Sequence, residues 1–82
     1  MNRVTLYTRL GCHLCGEAER VLQAEQATAG FRLELVDIDR DPELARRYGV
    51  RVPVVAVDGE ELFEYEVPPD LLRARLGRAG AD

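Results

Sequence analysis

The residues of this chain that could do chemistry stand together in the stretch CHLC, from Cys12 to Cys15. These are the only two cysteines in the sequence, and its only histidine, His13, lies between them. Two thiols at this spacing could form a redox-active dithiol, supply ligands to a metal ion, or be ordinary buried cysteines. The predicted secondary structure around the two cysteines distinguishes among these three interpretations.

A metal site is one alternative. Cys12, His13 and Cys15 offer up to three soft ligands, but a closed zinc site needs a fourth, and the chain has no other cysteine or histidine. The side chains of two adjacent residues on a helix also point in different directions. We therefore expect no metal in a single chain. A dimer could still pool two cysteine pairs around zinc or an iron–sulfur cluster.

Length and composition indicate one small globular domain covering residues 1–82. Hydrophobic residues make up 46% of the chain and charged residues 32%, which suits a single core and a shallow surface site. The net charge of −4 argues against nucleic-acid binding, and no apolar run is long enough to span a membrane. The N-terminus MNRVTLYT lacks the features of a secretory signal. We expect a cytoplasmic monomer with a frayed tail from about residue 78.

Hydrophobic periodicity and turn residues predict the element order β–α–β–α–β–β–α. The predicted strands are VTLYT, FRLELVDI, VPVVAV and EELFEY. The first two strands should be parallel because they belong to a βαβ unit, and the last two should form an antiparallel hairpin. The expected fold is a mixed four-stranded sheet with helices on both faces.

Three local features make this prediction specific. Gly49 is expected to end the second helix in a left-handed conformation. Asp58 and Gly59 are expected to form the hairpin turn. The buried face of the last helix is predicted to consist of Leu71, Leu72 and Leu76.

The cysteine pair falls directly after the first predicted strand, at the start of the first predicted helix. A helix N-terminus offers unpaired N–H donors and a partial positive charge, so it favours the thiolate of Cys12. Cys15 lies one turn later on the same face, where it can attack a mixed disulfide formed at Cys12. This position in a βαβ unit is typical of a redox dithiol.

The stretches LYTRLGCHLC, VDIDRDPELARRYGVRVPV and VDGEELFE together resemble the glutaredoxin-like branch of the thioredoxin-fold superfamily. The resemblance implies a thioredoxin fold in which Cys12 is the nucleophile and Cys15 the resolving thiol. It also implies that Val52 and Pro53 form a cis peptide bond beside the dithiol, with backbone groups that pair with a bound substrate. Arg9 stands where glutaredoxins usually carry a lysine.

The chain departs from the glutaredoxin pattern at two places. CHLC replaces the Cys-Pro-Tyr-Cys of glutaredoxins, and VPPD, at residues 67–70, replaces the Gly-Gly turn that helps to hold glutathione. Both departures argue against tight glutathione binding. No bound cofactor is expected, and either glutathione or a thioredoxin-type reductase could supply the electrons.

The sequence therefore predicts a thiol–disulfide oxidoreductase that acts on protein or small-molecule disulfides. Arg9 is expected to attract a substrate carboxylate, and Leu14 to offer apolar surface to the substrate. His13 is expected either to stabilise the thiolate or to be a solvated side chain with little effect. Val52 is expected to offer its N–H and C=O to an extended substrate strand. The alternatives are a metal-binding module that uses the two cysteines and a redox sensor without catalytic turnover.

Overall fold

Over the residues that the structure describes, the chain forms four strands and three α-helices in the predicted order. A computed structural model describes residues 2–76 in full and residues 77–81 only as the end of the last helix. The prediction of a frayed tail from about residue 78 lies outside the fully described residues. The strands are β1 (Arg3–Thr8), β2 (Arg32–Asp37), β3 (Val54–Val57) and β4 (Glu60–Glu64). The helices are α1 (His13–Ala29), α2 (Pro42–Tyr48) and α3 (Pro69–Ala81), with a short 3-10 helix, Ile38–Arg40, before α2.

The four strands form one mixed sheet in the order β2–β1–β3–β4. β1 pairs with β2 in parallel and with β3 antiparallel, so that Leu6 lies between Leu35 and Val55. β3 and β4 form the predicted antiparallel hairpin. Its turn residues, Asp58 and Gly59, both have positive φ values, 52° and 89°, as a tight hairpin turn requires.

Helices cover both faces of the sheet, as the sequence predicts. On one face, α1 and α3 pack on the strands through a core that comprises Val4, Leu6, Ala18, Leu22, Phe31, Val55, Val57, Val67, Leu72 and Leu76. On the other face, Ile38 and Tyr48 pack against Val54 beside α2. Alternate residues of β3 face the two cores because successive strand side chains point to opposite sides. All four residues of this strand are buried.

The predicted buried face of α3 is wrong at one position. Leu72 and Leu76 are buried, but Leu71 is 60% exposed. Adjacent residues on a helix are separated by a large rotation about its axis, and here Leu72 faces the core while Leu71 faces solvent. The spacing of four residues between Leu72 and Leu76 identifies the buried stripe.

Gly49 follows α2, but the predicted left-handed conformation is wrong. Its φ and ψ angles are −53° and −37°, in the right-handed helical region. A side chain at this position would collide with the carbonyl oxygen of Ala45 and approach the guanidinium of Arg9. The glycine is therefore required by close packing and not by a left-handed turn.

Candidate functional site

A tight turn carries the chain from β1 to the cysteine pair. The Cys12 N–H donates to the carbonyl oxygen of Arg9 at 3.3 Å, and Gly11 between them has a φ of 78°. Glycine adopts this left-handed conformation without steric cost, whereas a side chain would strain it. The turn places Cys12 at the first position before α1.

Cys12 is the N-cap residue of α1. Its backbone is extended, with φ −90° and ψ 114°, and its Sγ accepts a hydrogen bond from the Cys15 N–H at 3.2 Å. The Cys12 side chain is half-buried and therefore remains accessible from solvent. The Cys12 sulfur therefore lies at the helix end that carries a partial positive charge, with the Cys15 N–H as its hydrogen-bond donor. The position predicted from the sequence and the observed one agree.

Cys15 occupies a different environment one turn further along α1. It is only 2% exposed, and burial raises the pKa of its thiol, with a further increase from the neighbouring Cys12 sulfur. Both cysteines are free thiols in this structure. The site therefore pairs one accessible sulfur with one buried sulfur whose pKa lies above the ordinary thiol value.

Arg9 lies beside the dithiol, but its guanidinium is already bound within the protein. Nε and Nη2 donate to the two carboxylate oxygens of Asp39 at 2.9 and 3.0 Å, and Nη1 donates to the Gly49 carbonyl oxygen at 3.1 Å. The hydrogen bonds to Asp39 raise the pKa of Arg9. The sequence predicts that Arg9 attracts a substrate carboxylate, but its three nitrogens are engaged in joining the β1–α1 turn to the neighbouring loops.

Asp39 is a site residue that the sequence reasoning did not identify. A signal was present, because Asp39 follows β2 by two residues and β2 is parallel to β1, with Thr8 paired to Asp37. The carboxyl ends of both strands therefore lie at the same edge of the sheet. An acidic residue just after β2 is well placed to meet a basic residue just after β1.

His13 and Leu14 occupy the first turn of α1, between the cysteines. The His13 side chain is 83% exposed, and its Nε2 lies 3.5 Å from Oε1 of Glu17. Glu17 was not predicted as a partner of His13, although the spacing of four residues on a helix brings such side chains together. Leu14 is 38% exposed, so its apolar side chain is partly open to solvent.

Val52 and Pro53 lie just before β3, and the peptide bond between them is cis. Pro53 is buried. The Val52 N–H donates to the Tyr48 carbonyl oxygen at 3.1 Å, so in this structure the N–H predicted to be offered to a substrate is bonded within the chain. Within the described residues the Val52 carbonyl oxygen accepts no hydrogen bond. The Pro53 carbonyl oxygen accepts from the Tyr65 N–H at 2.8 Å.

Tyr65 is a second residue that the sequence reasoning missed. It has a φ of 68° directly after β4, and its hydroxyl donates to the Val50 carbonyl oxygen at 3.2 Å. Its side chain is 48% exposed and lines a groove of about 390 Å³ between α1 and the β4–α3 loop. The groove is lined by Leu14, Glu17, Ala18, Val21, Tyr65, Glu66, Val67, Pro68 and Pro69. No spacing rule in the sequence singles out this tyrosine.

A second cavity, of about 310 Å³, lies on the side of α1 that faces β2. It is lined by Thr8, Arg9, Leu10, Gly11, Cys12, Cys15, Gly16, Glu19, Leu35 and Asp37. Both cysteines border this cavity, together with the Arg9 side chain. The start of α1 thus separates two recesses, one beside the sulfurs and one beside Leu14.

Two further properties concern the part of the chain that the structure describes. Across those residues, no three His, Cys, Asp or Glu side chains come together as a group that could hold a metal ion. None of the described helices has both the length and the apolar character needed to cross a bilayer.

Comparisons with known proteins relate the chain to one family and one fold. Residues 3–77 match the model of the glutaredoxin-like domain (DUF836). The uncharacterized protein Rv0508 of Mycobacterium tuberculosis is 34% identical over 94% of this chain and 84% of its own. The solved structure of Ne2328 from Nitrosomonas europaea is 36% identical, covers 90% of this chain and 89% of its own, and superposes with a TM-score of 0.78.

The structural likeness of this chain to a thioredoxin identifies its fold. The solved structure of a mutant thioredoxin from Halobacterium salinarum is 24% identical, covers 94% of this chain and 73% of its own, and gives a TM-score of 0.70. At this identity the comparison concerns the architecture alone. The α/β thioredoxin fold with a Cys12–Cys15 pair at the start of α1 fits a redox role.

Proposed function

This chain belongs to the family of glutaredoxin-like domains, and we propose that it is a thiol–disulfide oxidoreductase that uses Cys12 and Cys15. The observation that carries the proposal is the Cys12 Sγ at the N-cap of α1, where it accepts the Cys15 N–H at 3.2 Å. This donor and the helix dipole stabilise a thiolate, which is the reactive form in disulfide exchange. The buried thiol of Cys15 follows one turn later.

In the first step the Cys12 thiolate attacks one sulfur of a substrate disulfide. The substrate S–S bond breaks, a mixed disulfide forms between Cys12 and that sulfur, and the other substrate sulfur leaves as a thiolate that takes a proton from water. No electrons pass to a third molecule in this step. The accessibility of Cys12 permits this attack.

In the second step Cys15 loses its proton and attacks the Sγ of Cys12. The mixed disulfide breaks, the second substrate sulfur leaves as a thiol, and a Cys12–Cys15 disulfide forms. Two electrons have then passed from the protein dithiol to the substrate. Glutathione or a thioredoxin-type reductase would return them by reducing the protein disulfide, so the chemistry needs no bound cofactor.

The loop before β3 is proposed to position the substrate backbone. A substrate segment lying beside Pro53 could donate an N–H to the Val52 carbonyl oxygen, because that oxygen accepts no hydrogen bond from the described residues. Leu14 would supply apolar contact next to the sulfurs. Arg9 would hold the shape of the β1–α1 turn through Asp39 and Gly49.

The proposal is tested by turnover of a model protein disulfide, such as insulin, with dithiothreitol as reductant. We expect wild type to accelerate insulin reduction and Cys12→Ser to lose the acceleration completely, because serine cannot form the mixed disulfide. A Thr5→Ser variant, which changes a buried residue of β1 outside the site, is a control for general effects of substitution. Equal rates for Cys12→Ser and wild type would refute the mechanism.

A further inference from the structure

The groove between α1 and the β4–α3 loop, here called the Leu14 groove, starts beside the cysteine pair and carries negative charge. Two of its lining residues are charged, Glu17 on α1 and Glu66 in the loop, and both are exposed. No arginine lines it among the described residues, and the chain contains no lysine. His13 is the basic side chain beside Glu17, with its Nε2 at 3.5 Å from the carboxylate.

Between the two carboxylates the groove is apolar. Leu14 and Tyr65 are partly exposed and face it from opposite sides, while Val67 is buried beneath them. An apolar side chain could therefore bury surface here. A bound segment would also pass close to Pro53, because the Pro53 carbonyl oxygen is bonded to the Tyr65 N–H.

We propose that the Leu14 groove binds an extended segment of a protein disulfide that carries lysine or arginine near its reactive cysteine. The inference rests on the proposed function and specifies its substrate class. A positively charged segment would pair with Glu17 and Glu66 while its apolar side chain contacts Leu14. The net charge of −4 over the whole chain favours the approach of the same partner.

The same arrangement disfavours oxidised glutathione, which carries more carboxylates than ammonium groups. Arg9, the guanidinium nearest to the sulfurs along the chain, is already bound to Asp39 and Gly49. A glutathione carboxylate in the Leu14 groove would meet Glu17 or Glu66 in place of a cation. Charge therefore separates the two substrate classes.

The test uses three disulfide-linked model peptides that share an apolar residue beside the cysteine and differ in two flanking positions, Lys, Gln or Glu. Fully reduced protein reacts with each peptide in a single turnover, and released peptide thiol is measured over time. Oxidised glutathione is the fourth substrate. The variants are wild type, Glu17→Gln/Glu66→Gln, and the control Glu43→Gln/Glu60→Gln, which removes two carboxylates from α2 and β4.

We expect wild type to react with the Lys peptide about tenfold faster than with the Glu peptide at low salt, from two exposed charge interactions of ordinary strength. Glu17→Gln/Glu66→Gln should reduce this ratio to about twofold, and salt should do the same because it screens exposed charges. The control variant should keep the wild-type ratio. Oxidised glutathione should react at about the rate of the Glu peptide.

Two failures can be told apart. Equal rates for the Lys and Glu peptides in wild type, or the same ratio in Glu17→Gln/Glu66→Gln, would overturn the assignment of the groove and leave the dithiol chemistry intact. Absence of reaction with all four substrates would instead contradict the proposed function itself.

Discussion

Cys12 and Cys15 share one motif but differ in exposure, and this difference defines their proposed roles. Cys12 caps α1 and is half-buried, while Cys15 is buried in the helix one turn later. A residue at the cap is open to an incoming disulfide, whereas a residue inside can reach only a sulfur already bound at the cap. The proposed order of attack, Cys12 first and Cys15 second, follows from these positions on the helix.

The raised pKa of Cys15 predicts how the second step depends on pH. Burial is the first cause of the shift, and it persists when Cys12 is in a mixed disulfide and carries no charge. Since the thiolate attacks, the rate of resolution should still be rising at about pH 9, above the ordinary thiol pKa of about 8.5. Stopped-flow release of a fluorescent thiol from the mixed disulfide measures this rate. A plateau below about pH 8 would contradict the raised pKa, and Cys15→Ser supplies the baseline without resolution.

The surroundings of individual side chains and backbone groups were the feature of the structure that the sequence predicted least well. The role of Arg9 as a substrate ligand was inferred from its place in the motif, but Asp39 and Gly49 occupy its donors. Both partners are distant in the sequence, and only the pairing of strands brings them together. Likewise, the Val52 N–H is used by Tyr48 at the end of α2, which depends on the exact length of the connecting loop.

At the scale of elements, a glycine within α1 shows how the helix sequence affects the stability of the fold. Gly16 lies inside α1, and a side chain there would meet nothing within 4 Å. Gly16→Ala should therefore raise the free energy of unfolding by about 0.5–1 kcal/mol, because alanine favours the helix. Denaturant unfolding measures the change.

The matched control for this prediction is Gly30→Ala at the other end of α1. Gly30 has a φ of 71° and its N–H donates to the Gln26 carbonyl oxygen. Alanine is strained in this left-handed conformation, so the substitution should destabilise the protein. A loss of stability in Gly16→Ala, or a gain in Gly30→Ala, would contradict this account of the helix.

Local residues define several of the element boundaries. Asp41 caps α2 through the Glu43 N–H with Pro42 as the first helical residue, as the Asp-Pro pair indicates. β3 begins at Val54 rather than at Val52, because proline has no N–H to donate to the sheet. The strand after the hairpin ends at Glu64, one residue before the left-handed Tyr65.

At the scale of the whole molecule, the sheet brings the motif residues together. β1 and β3 are antiparallel, with Tyr7 opposite Val54, so the end of β1 and the start of β3 lie at the same edge. Cys12 follows the first and Pro53 precedes the second. The sequence predicted both segments from pattern and family resemblance, whereas the groove lined by Tyr65 depends on how the β4–α3 loop packs, which no local pattern encodes.

The fold leaves one sulfur accessible and buries the other, so a trapping experiment tests the central claim most directly. Cys15→Ser is mixed with a peptide disulfide, and the product is measured by intact-protein mass spectrometry and peptide mapping. We predict one peptide attached to Cys12 and released by dithiothreitol, and no adduct on Cys12→Ser under the same conditions. Attachment to Cys15 in Cys12→Ser at the same rate, or no adduct on Cys15→Ser, would contradict the assignment of Cys12 as the nucleophile.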